Sequence, residues 1–80
     1  MFSVYLLQCR GKSLYCGYAK DIKARLELHK KGKASRYTRS RLPVKLVFVQ
    51  RKKTRKEAMK REAEIKKMPR KEKLNLIRKS

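Results

Sequence analysis

Five side chains of this sequence have types and spacing that suit a small hydrolytic site. Two are tyrosines, Tyr5 and Tyr15, each inside a short apolar run of the kind that forms a strand. Arg25 and His29 are four residues apart, so a helix would place them on one row. The fifth is an acid, Glu62, on a later helical segment. On a strongly basic chain, this set of residues suggests a metal-dependent nuclease.

Glu62 is the most informative acid because of its neighbours. With Ala58 and Ile65 it occupies positions i, i+4 and i+7 of one stripe, which should face the interior. An unpaired carboxylate there is costly to bury, and either a metal ion or a positive neighbour (Arg25 or a lysine) would remove that cost. One hard oxygen ligand suits Mg²⁺, which keeps most of its waters. We therefore expect a single Mg²⁺ or Mn²⁺ ion and no small-molecule cofactor.

The other four residues each have a structural alternative. Tyr5 and Tyr15 could be core aromatics, or surrounding cations could favour a phenolate that takes a proton from water or positions the water. Arg25 could offer a forked donor to a pentacovalent phosphate, or bind phosphate without catalysis. His29 could hold or transfer a proton near neutral pH, or lie on the surface at a helix end.

The charge of the chain predicts a polyanionic partner. Twenty-six Lys and Arg face six Asp and Glu, for a net charge of +20, and such an excess is relieved by phosphates. Tyr37 could stack on a base or anchor its loop on the core. The residues predicted to contact nucleic acid are Lys20, Arg36, Tyr37, Arg39 and Arg41.

A membrane is a weaker candidate partner. No segment approaches the ~20 apolar residues of a spanning helix, and the start has no basic region before its apolar run, as a signal peptide would. We expect a cytoplasmic protein with no membrane contact. The length of 80 residues suggests one domain over residues 1–80.

A β-hairpin must position the two tyrosines. Residues 2–9 and 14–18 are rich in β-branched and aromatic side chains, and residues 10–13 form a basic turn in which Gly11 can adopt a positive φ.

The loop length of this hairpin decides the register. A two-residue loop would pair Cys9 with Leu14 and put Tyr5 and Tyr15 on opposite faces of the sheet. A three-residue loop with a bulge pairs Cys9 with Ser13 and puts both tyrosines on one face. We predict the second register, which also sends the two cysteines to opposite faces and prevents a disulfide between them. Two thiols without further Cys or His partners make no zinc site.

The remaining elements follow from caps and apolar rows. Asp21 caps a helix that runs to about residue 31 before Gly32, and its row of Ile22 and Leu26 puts Arg25 and His29 at the margin of the buried face. Residues 33–42 are a basic loop, and residues 44–49 a third strand buried for most of its length.

Two helices complete the chain. Thr54 caps one that runs to about residue 67. Pro69 begins the other, whose Leu74 and Ile77 should face inward. The order ββαβαα predicts an α+β fold with a three-stranded antiparallel sheet flanked by helices.

Taken together, these residues resemble the GIY-YIG nuclease domain over essentially the whole chain. Each motif alone is weak, but four in order are specific. They are residues 3–5 (Ser-Val-Tyr), 15–17 (Tyr-Cys-Gly), 20–26 (Lys-Asp-Ile-Lys-Ala-Arg-Leu) and 57–62 (Glu-Ala-Met-Lys-Arg-Glu). Residues 32–39 and 65–67 further resemble small stand-alone bacterial members. Ser3 and Cys16 stand where the motifs have a glycine and an isoleucine.

The resemblance implies a ββαβα core and Mg²⁺-dependent hydrolysis of DNA phosphodiesters. It implies Tyr5 or Tyr15 near the attacking water, Arg25 on the scissile phosphate and Glu62 on the metal. His29 matches a position that members fill with His or Tyr.

The predicted function is an endonuclease with weak sequence preference. The chain offers cations far more than Asn or Gln, so it should read backbone and shape, and branched, flapped or single-stranded DNA is the favoured partner. The alternative is a catalytically weak or inactive module that binds DNA or RNA. The sequence leaves the oligomeric state open.

Overall fold

The computed structural model describes residues 1–79 as a three-stranded antiparallel sheet with helices on both faces. The strands are β1 (Phe2–Gln8), β2 (Leu14–Ala19) and β3 (Lys45–Lys52), in the sheet order β2-β1-β3. The helices are α1 (Ile22–Lys30), α2 (Arg36–Arg39), α3 (Arg55–Lys66) and α4 (Arg70–Lys79). This confirms the predicted α+β fold and its order, with the one-turn helix α2 as an addition.

The hairpin has the predicted register. Tyr5 pairs with Gly17, and Leu7 with Tyr15. The amide of Cys9 donates to the carbonyl of Ser13 at 2.8 Å across the three-residue turn. Since directly paired residues share a face, both tyrosines lie on one side of the sheet. The two cysteines are buried on opposite sides and are free thiols.

Each face of the sheet has its own apolar cluster. The central strand β1 contributes to both, because its side chains alternate between the faces. The face covered by α3 and α4 has as its buried residues Val4, Leu6, Cys16, Ala58 and Ile65. The face toward α1 and α2 has as its buried residues Tyr5, Leu7, Cys9, Ala19 and Val44.

The predicted caps of the two longer motif-bearing helices are present. The side chain of Asp21 accepts from the amide of Ala24, and that of Thr54 from the amide of Glu57. Gly32, with φ of +75°, follows the end of α1 as expected. These caps fix where α1 and α3 begin relative to the sheet, and therefore where Arg25 and Glu62 lie.

Three details of the prediction were wrong. The segment predicted as a basic loop contains α2, whose cap Ser35 accepts from the amides of Tyr37 and Thr38. β3 has no fully buried residue, because it is an edge strand that is only partly covered. Leu74 is 38% exposed, and Leu76 packs with Ile77 on the sheet instead.

Within residues 1–79, no helix has the length and apolar character needed to cross a membrane.

Candidate active site

The side chain of Tyr5 passes over the edge strand β2 at Gly17. The two residues are paired in the sheet, and a Cβ on Gly17 would lie 2.7 Å from Tyr5 Oη and 2.9 Å from its Cζ. No side chain fits there without moving the tyrosine, so glycine allows the hydroxyl to reach the sheet edge. The sequence prediction gave Gly17 no role, although the predicted register already paired it with Tyr5.

His29 lies beneath this hydroxyl and is fully buried. Its Nε2 is 2.8 Å from Tyr5 Oη, and its Nδ1 is 2.8 Å from Thr38 Oγ1. The prediction that His29 lies at the margin of the buried face is therefore wrong: α2 packs over the end of α1 and encloses the imidazole. Burial lowers the pKa of His29, and the charge of Arg25 lowers it further, so the ring is neutral at pH 7.

Thr38 is a site residue that sequence reasoning missed. Its side chain is fully buried and its hydroxyl also donates to the carbonyl oxygen of Ser35 at 3.3 Å. The signal that could have found it is Ser35, a good N-cap three residues earlier in a segment otherwise interpreted as loop.

Of the two alternatives for Tyr5, a core aromatic and a phenolate, the structure disfavours the phenolate. Burial raises the pKa of its hydroxyl well above the usual value of 10, and Tyr15 adds to the rise, whereas Arg25 opposes it. Desolvation of the charged form outweighs the attraction of nearby cations. Tyr5 therefore keeps its proton at neutral pH and is available as a hydrogen-bond donor.

A cleft of about 410 Å³ wraps around the edge strand at this point. It connects the two faces of the sheet, since it reaches from Tyr5 on the α1 face to Glu62 on α3. Arg25 enters it from α1, and Tyr15 and Lys20 from β2 and its end. The full lining is Phe2, Tyr5, Tyr15, Gly17, Tyr18, Ala19, Lys20, Arg25, Arg55 and Glu62.

Glu62 lines the cleft with a side chain that is 19% exposed. Its Oε1 lies 3.4 Å from Nζ of Lys66, one turn later on α3. The expected lysine partner is thus present, and the carboxylate still has an edge in the cleft. Arg25, in contrast, is exposed on α1 and reaches the cleft with its guanidinium free of any ion pair among residues 1–79.

Two further cleft residues, Tyr18 and Arg55, were missed by sequence reasoning. Nε of Arg55 donates to Tyr18 Oη at 3.4 Å. Arg55 is seven residues before Glu62, a spacing that puts both on one side of a helix. That spacing is the signal that could have found it, but Arg55 lies in a run of exposed cations that are not distinguished by residue type.

The predicted nucleic-acid contacts fall into separate places. Lys20 is in the cleft. Arg36 and Arg39 are exposed around a separate hollow of about 380 Å³ beside Gly32. Arg41 is turned inward, with Cζ 3.9 Å from the ring centroid of Tyr37.

Tyr37 is held between two partners. Arg41 covers its ring, and the ring of Tyr15 lies 5.8 Å away between centroids. Nη1 of Arg41 also donates to the Tyr37 carbonyl at 3.0 Å. This arrangement is the one expected of a residue that anchors its loop on the core, and it connects that loop to the cleft through Tyr15.

The donor set for a metal ion is small. Among residues 1–79, no group of three or more His, Cys, Asp or Glu side chains is arranged to hold a cation. A single carboxylate at the cleft, as Glu62 provides, fits a hydrated Mg²⁺ or Mn²⁺ that takes its other ligands from water and substrate phosphate. It does not fit a tetrahedral zinc site.

Comparison with known proteins shows the family of this chain. Residues 1–75 match the family model of the GIY-YIG catalytic domain. The chain belongs to the GIY-YIG family. Similar proteins include the UPF0213 proteins of Staphylococcus aureus strains Mu3 and Mu50, each 49% identical over 75 residues, covering 94% of this chain and 92% of the relative.

A solved structure agrees. The solution NMR structure of the UPF0213 protein BH0048 from Bacillus halodurans is similar to this chain, with a TM-score of 0.62 and 38% identity. The match covers 96% of this chain and 83% of that one. These relatives are small proteins like this GIY-YIG chain, and the family supports a nuclease-type function.

Proposed function

We propose that this GIY-YIG protein is a Mg²⁺-dependent DNA endonuclease that uses one metal ion. The observation that carries the proposal is the cleft at the β2 edge, which brings Tyr5, Tyr15, Arg25 and Glu62 together from four different elements. Two phenols, a guanidinium and a carboxylate can position a water, bind a phosphate and hold a metal ion, which are the tasks of a site that hydrolyses phosphodiesters. Mn²⁺ would serve in place of Mg²⁺.

Glu62 is the residue that would hold the metal. When bound, a divalent ion supplies positive charge that stabilises the transition state and polarises a phosphate oxygen. Glu62 can take this role because its carboxylate is balanced by one lysine at 3.4 Å and not enclosed by several donors.

Arg25 binds the scissile phosphate. Its guanidinium is exposed at the cleft, opposite the carboxylate-bearing helix, and its forked donors match two phosphate oxygens as charge develops on them. The tyrosine pair positions the attacking water. Both tyrosines line the cleft: Tyr15 is half-buried, and the hydroxyl of Tyr5 can contact the water while it bonds His29.

The substrate is recognised by backbone and shape. Lys20 lies in the cleft, and Arg36 and Arg39 are exposed around the hollow beside Gly32; phosphate contacts of this kind carry no sequence information. Branched, flapped or single-stranded DNA is the favoured substrate, because a chain that contacts backbone and shape distinguishes DNA by its structure and not by its base sequence. RNA is a second possible ligand of the same basic surface.

The test is nicking of a labelled branched DNA and a matched duplex, with and without Mg²⁺. We expect cuts that need Mg²⁺, prefer the branched DNA and vanish in Glu62→Ala. Glu64→Ala is the matched control, since Glu64 lies on the same helix but is exposed and paired with Arg61 at 3.3 Å, outside the cleft. Arg25→Ala should keep DNA affinity within about threefold and lose cleavage by about 100-fold or more.

Two results would overturn the nuclease proposal. Cleavage that persists in Glu62→Ala would point to another site or a contaminant. Binding by the wild type without cleavage in Mg²⁺ or Mn²⁺ would favour the binding module, in which the ion pair between Glu62 and Lys66 has only a structural role.

A further inference from the structure

Three buried side chains form a continuous hydrogen-bonded row behind the cleft. Tyr5, His29 and Thr38 are 1%, 0% and 0% exposed. The two bonds between them, at Nε2 and Nδ1 of the imidazole, are both 2.8 Å. The row begins at a hydroxyl that lines the cleft and ends at the carbonyl of Ser35.

The Thr38 end of the row determines which atom is the donor in each of its hydrogen bonds. A threonine hydroxyl has one proton, and that of Thr38 is directed to the Ser35 carbonyl oxygen at 3.3 Å. Toward Nδ1 of His29 it can therefore only accept, so Nδ1 carries the imidazole proton. In a neutral ring this leaves Nε2 with a lone pair, and the hydroxyl of Tyr5 must donate to it.

We propose that Thr38 is a positioning residue that holds His29 in the Nδ1–H tautomer, so that Nε2 can take the proton of Tyr5 during hydrolysis. The inference deepens the proposed nuclease function and rests on it for its kinetic consequence. In the other tautomer the proton is on Nε2, which would donate to Tyr5 Oη, and His29 could then take no proton from Tyr5.

The proton transfer balances without any additional reactant. The lone pair of the attacking water forms the new P–O bond, and the ester P–O bond breaks with its electron pair on the leaving oxygen. The proton of the water passes to Tyr5 Oη as the proton of Tyr5 passes to Nε2. The resulting imidazolium is stabilised because Thr38 Oγ1 accepts from Nδ1–H. Before the product leaves, His29 returns the proton to Tyr5, and the excess proton passes from Tyr5 through water to the leaving oxygen.

The cap of the short helix α2 also positions Thr38. Ser35 Oγ accepts from the amides of Tyr37 and Thr38 at 3.1 and 3.4 Å, which fixes the first turn. The carbonyl of the same residue then receives the Thr38 hydroxyl. One capping residue thus supports both the backbone and the proton direction of Thr38.

The first test measures the tautomer directly, in the protein without nucleic acid. The chain has one histidine, so ¹⁵N NMR of the imidazole reports His29 without ambiguity. Above pH 7 we expect protonated Nδ1 and unprotonated Nε2 in the wild type and in Thr38→Ser, and a shift toward Nε2–H in Thr38→Val, which is close in shape but cannot accept. An Nε2–H wild type, or a Thr38→Val spectrum like the wild type, would overturn the proposal.

The second test measures its consequence for cleavage. Thr38→Val should lower kcat by about 10- to 1,000-fold with KM within about twofold, and Thr38→Ser should restore most of kcat. Ser40→Ala is the control, because among residues 1–79 the Ser40 hydroxyl bonds only Arg41 and backbone carbonyls of α2. Equal kcat in Thr38→Val and wild type would refute the role. A wild type that never cleaves would instead refute the nuclease function, while the NMR result would still decide the tautomer.

Discussion

At the residue scale, the site depends on a glycine that makes room and a histidine that is kept neutral. Gly17 lets the Tyr5 side chain cross the edge strand, and His29 accepts at the end of that crossing. Neither residue needs to touch the substrate to matter. Gly17 acts by having no side chain, and His29 acts from a fully buried position. Substitutions at these two positions therefore change the geometry of the cleft without removing Tyr5, Tyr15, Arg25 or Glu62.

Gly17→Ala should displace Tyr5. The added Cβ would lie 2.7 Å from Tyr5 Oη, so the ring must move and its bond to His29 lengthens or breaks. We expect a loss of about 1–3 kcal/mol in the free energy of unfolding and a cleavage rate at least about tenfold lower. The measurements are chemical denaturation and single-turnover cleavage.

Gly11→Ala is the matched control for that substitution. Gly11 has φ of +80° with open space around it, so alanine there costs about 1–2 kcal/mol of backbone strain at the far end of the hairpin. Its cleavage rate should stay near that of the wild type. If Gly17→Ala also retained the wild-type rate, Tyr5 would not need its observed position.

His29 should make stability depend on pH. Its pKa in the folded protein lies below 6.5 because of burial and then Arg25, so on acidification the unfolded chain binds the proton first. Stability from the neutral ring is complete above pH 6.5 and is lost as the pH falls through the folded-state pKa. We expect a lower free energy of unfolding at pH 5 than at pH 7.5, and a smaller difference in His29→Gln. An equal loss of unfolding free energy at pH 5 in the wild type and in His29→Gln would contradict the assignment of this pH dependence to His29.

At the scale of elements, the sequence predicted those parts of the fold that local patterns specify. Alternation and turn length determined the register of the hairpin, and side-chain caps determined where α1 and α3 begin. α2 was missed, because a four-residue helix has no period to detect and only its cap, Ser35, marks it in the sequence. The edge position of β3 also has no local signal, since an apolar run looks the same at a centre or an edge.

The candidate site shows the same division between what local sequence patterns specify and what depends on packing. Tyr5, Tyr15, Arg25 and Glu62 were predicted from the motifs, and the cleft brings them together. Thr38 was missed because its role depends on how α2 packs against α1. The sequence left open whether Tyr5 is a core phenol or a phenolate, because the cost of burial is set by the folded structure and cannot be counted from neighbouring cations.

Loss of the cap of α2 should therefore affect the site more than loss of a comparable cap elsewhere. Ser35→Ala removes the acceptor for the amides of Tyr37 and Thr38 and should cost about 1 kcal/mol. We expect faster amide exchange at Thr38 and slower cleavage. Thr54→Ala removes an equivalent cap from α3, but twelve residues of packed helix still hold Glu62. If both variants cleaved equally well, the position of Thr38 would not matter.

At the scale of the whole molecule, charge and shape act together. A net charge of +20 on 80 residues attracts any polyanion, so affinity alone cannot select a substrate. Selection must come from the cleft, which lies at the β2 edge of the sheet and is lined by residues from the helices of both faces. Lysines and arginines on the helices of both faces would bind the phosphates of the DNA strands that leave the cleft.

Salt should separate these two contributions. Binding of each DNA should weaken steeply with salt, because each phosphate contact releases counterions, whereas the preference for branched over duplex DNA should change little. Arg36→Gln should reduce the slope of log affinity against log salt by about one. Lys45→Gln is the charge-matched control, since Lys45 is exposed on β3 at the opposite edge of the sheet from the cleft, and its slope should stay near that of the wild type. Equal slopes for the two variants in fluorescence anisotropy titrations would mean that DNA contacts the whole basic surface without a preferred side.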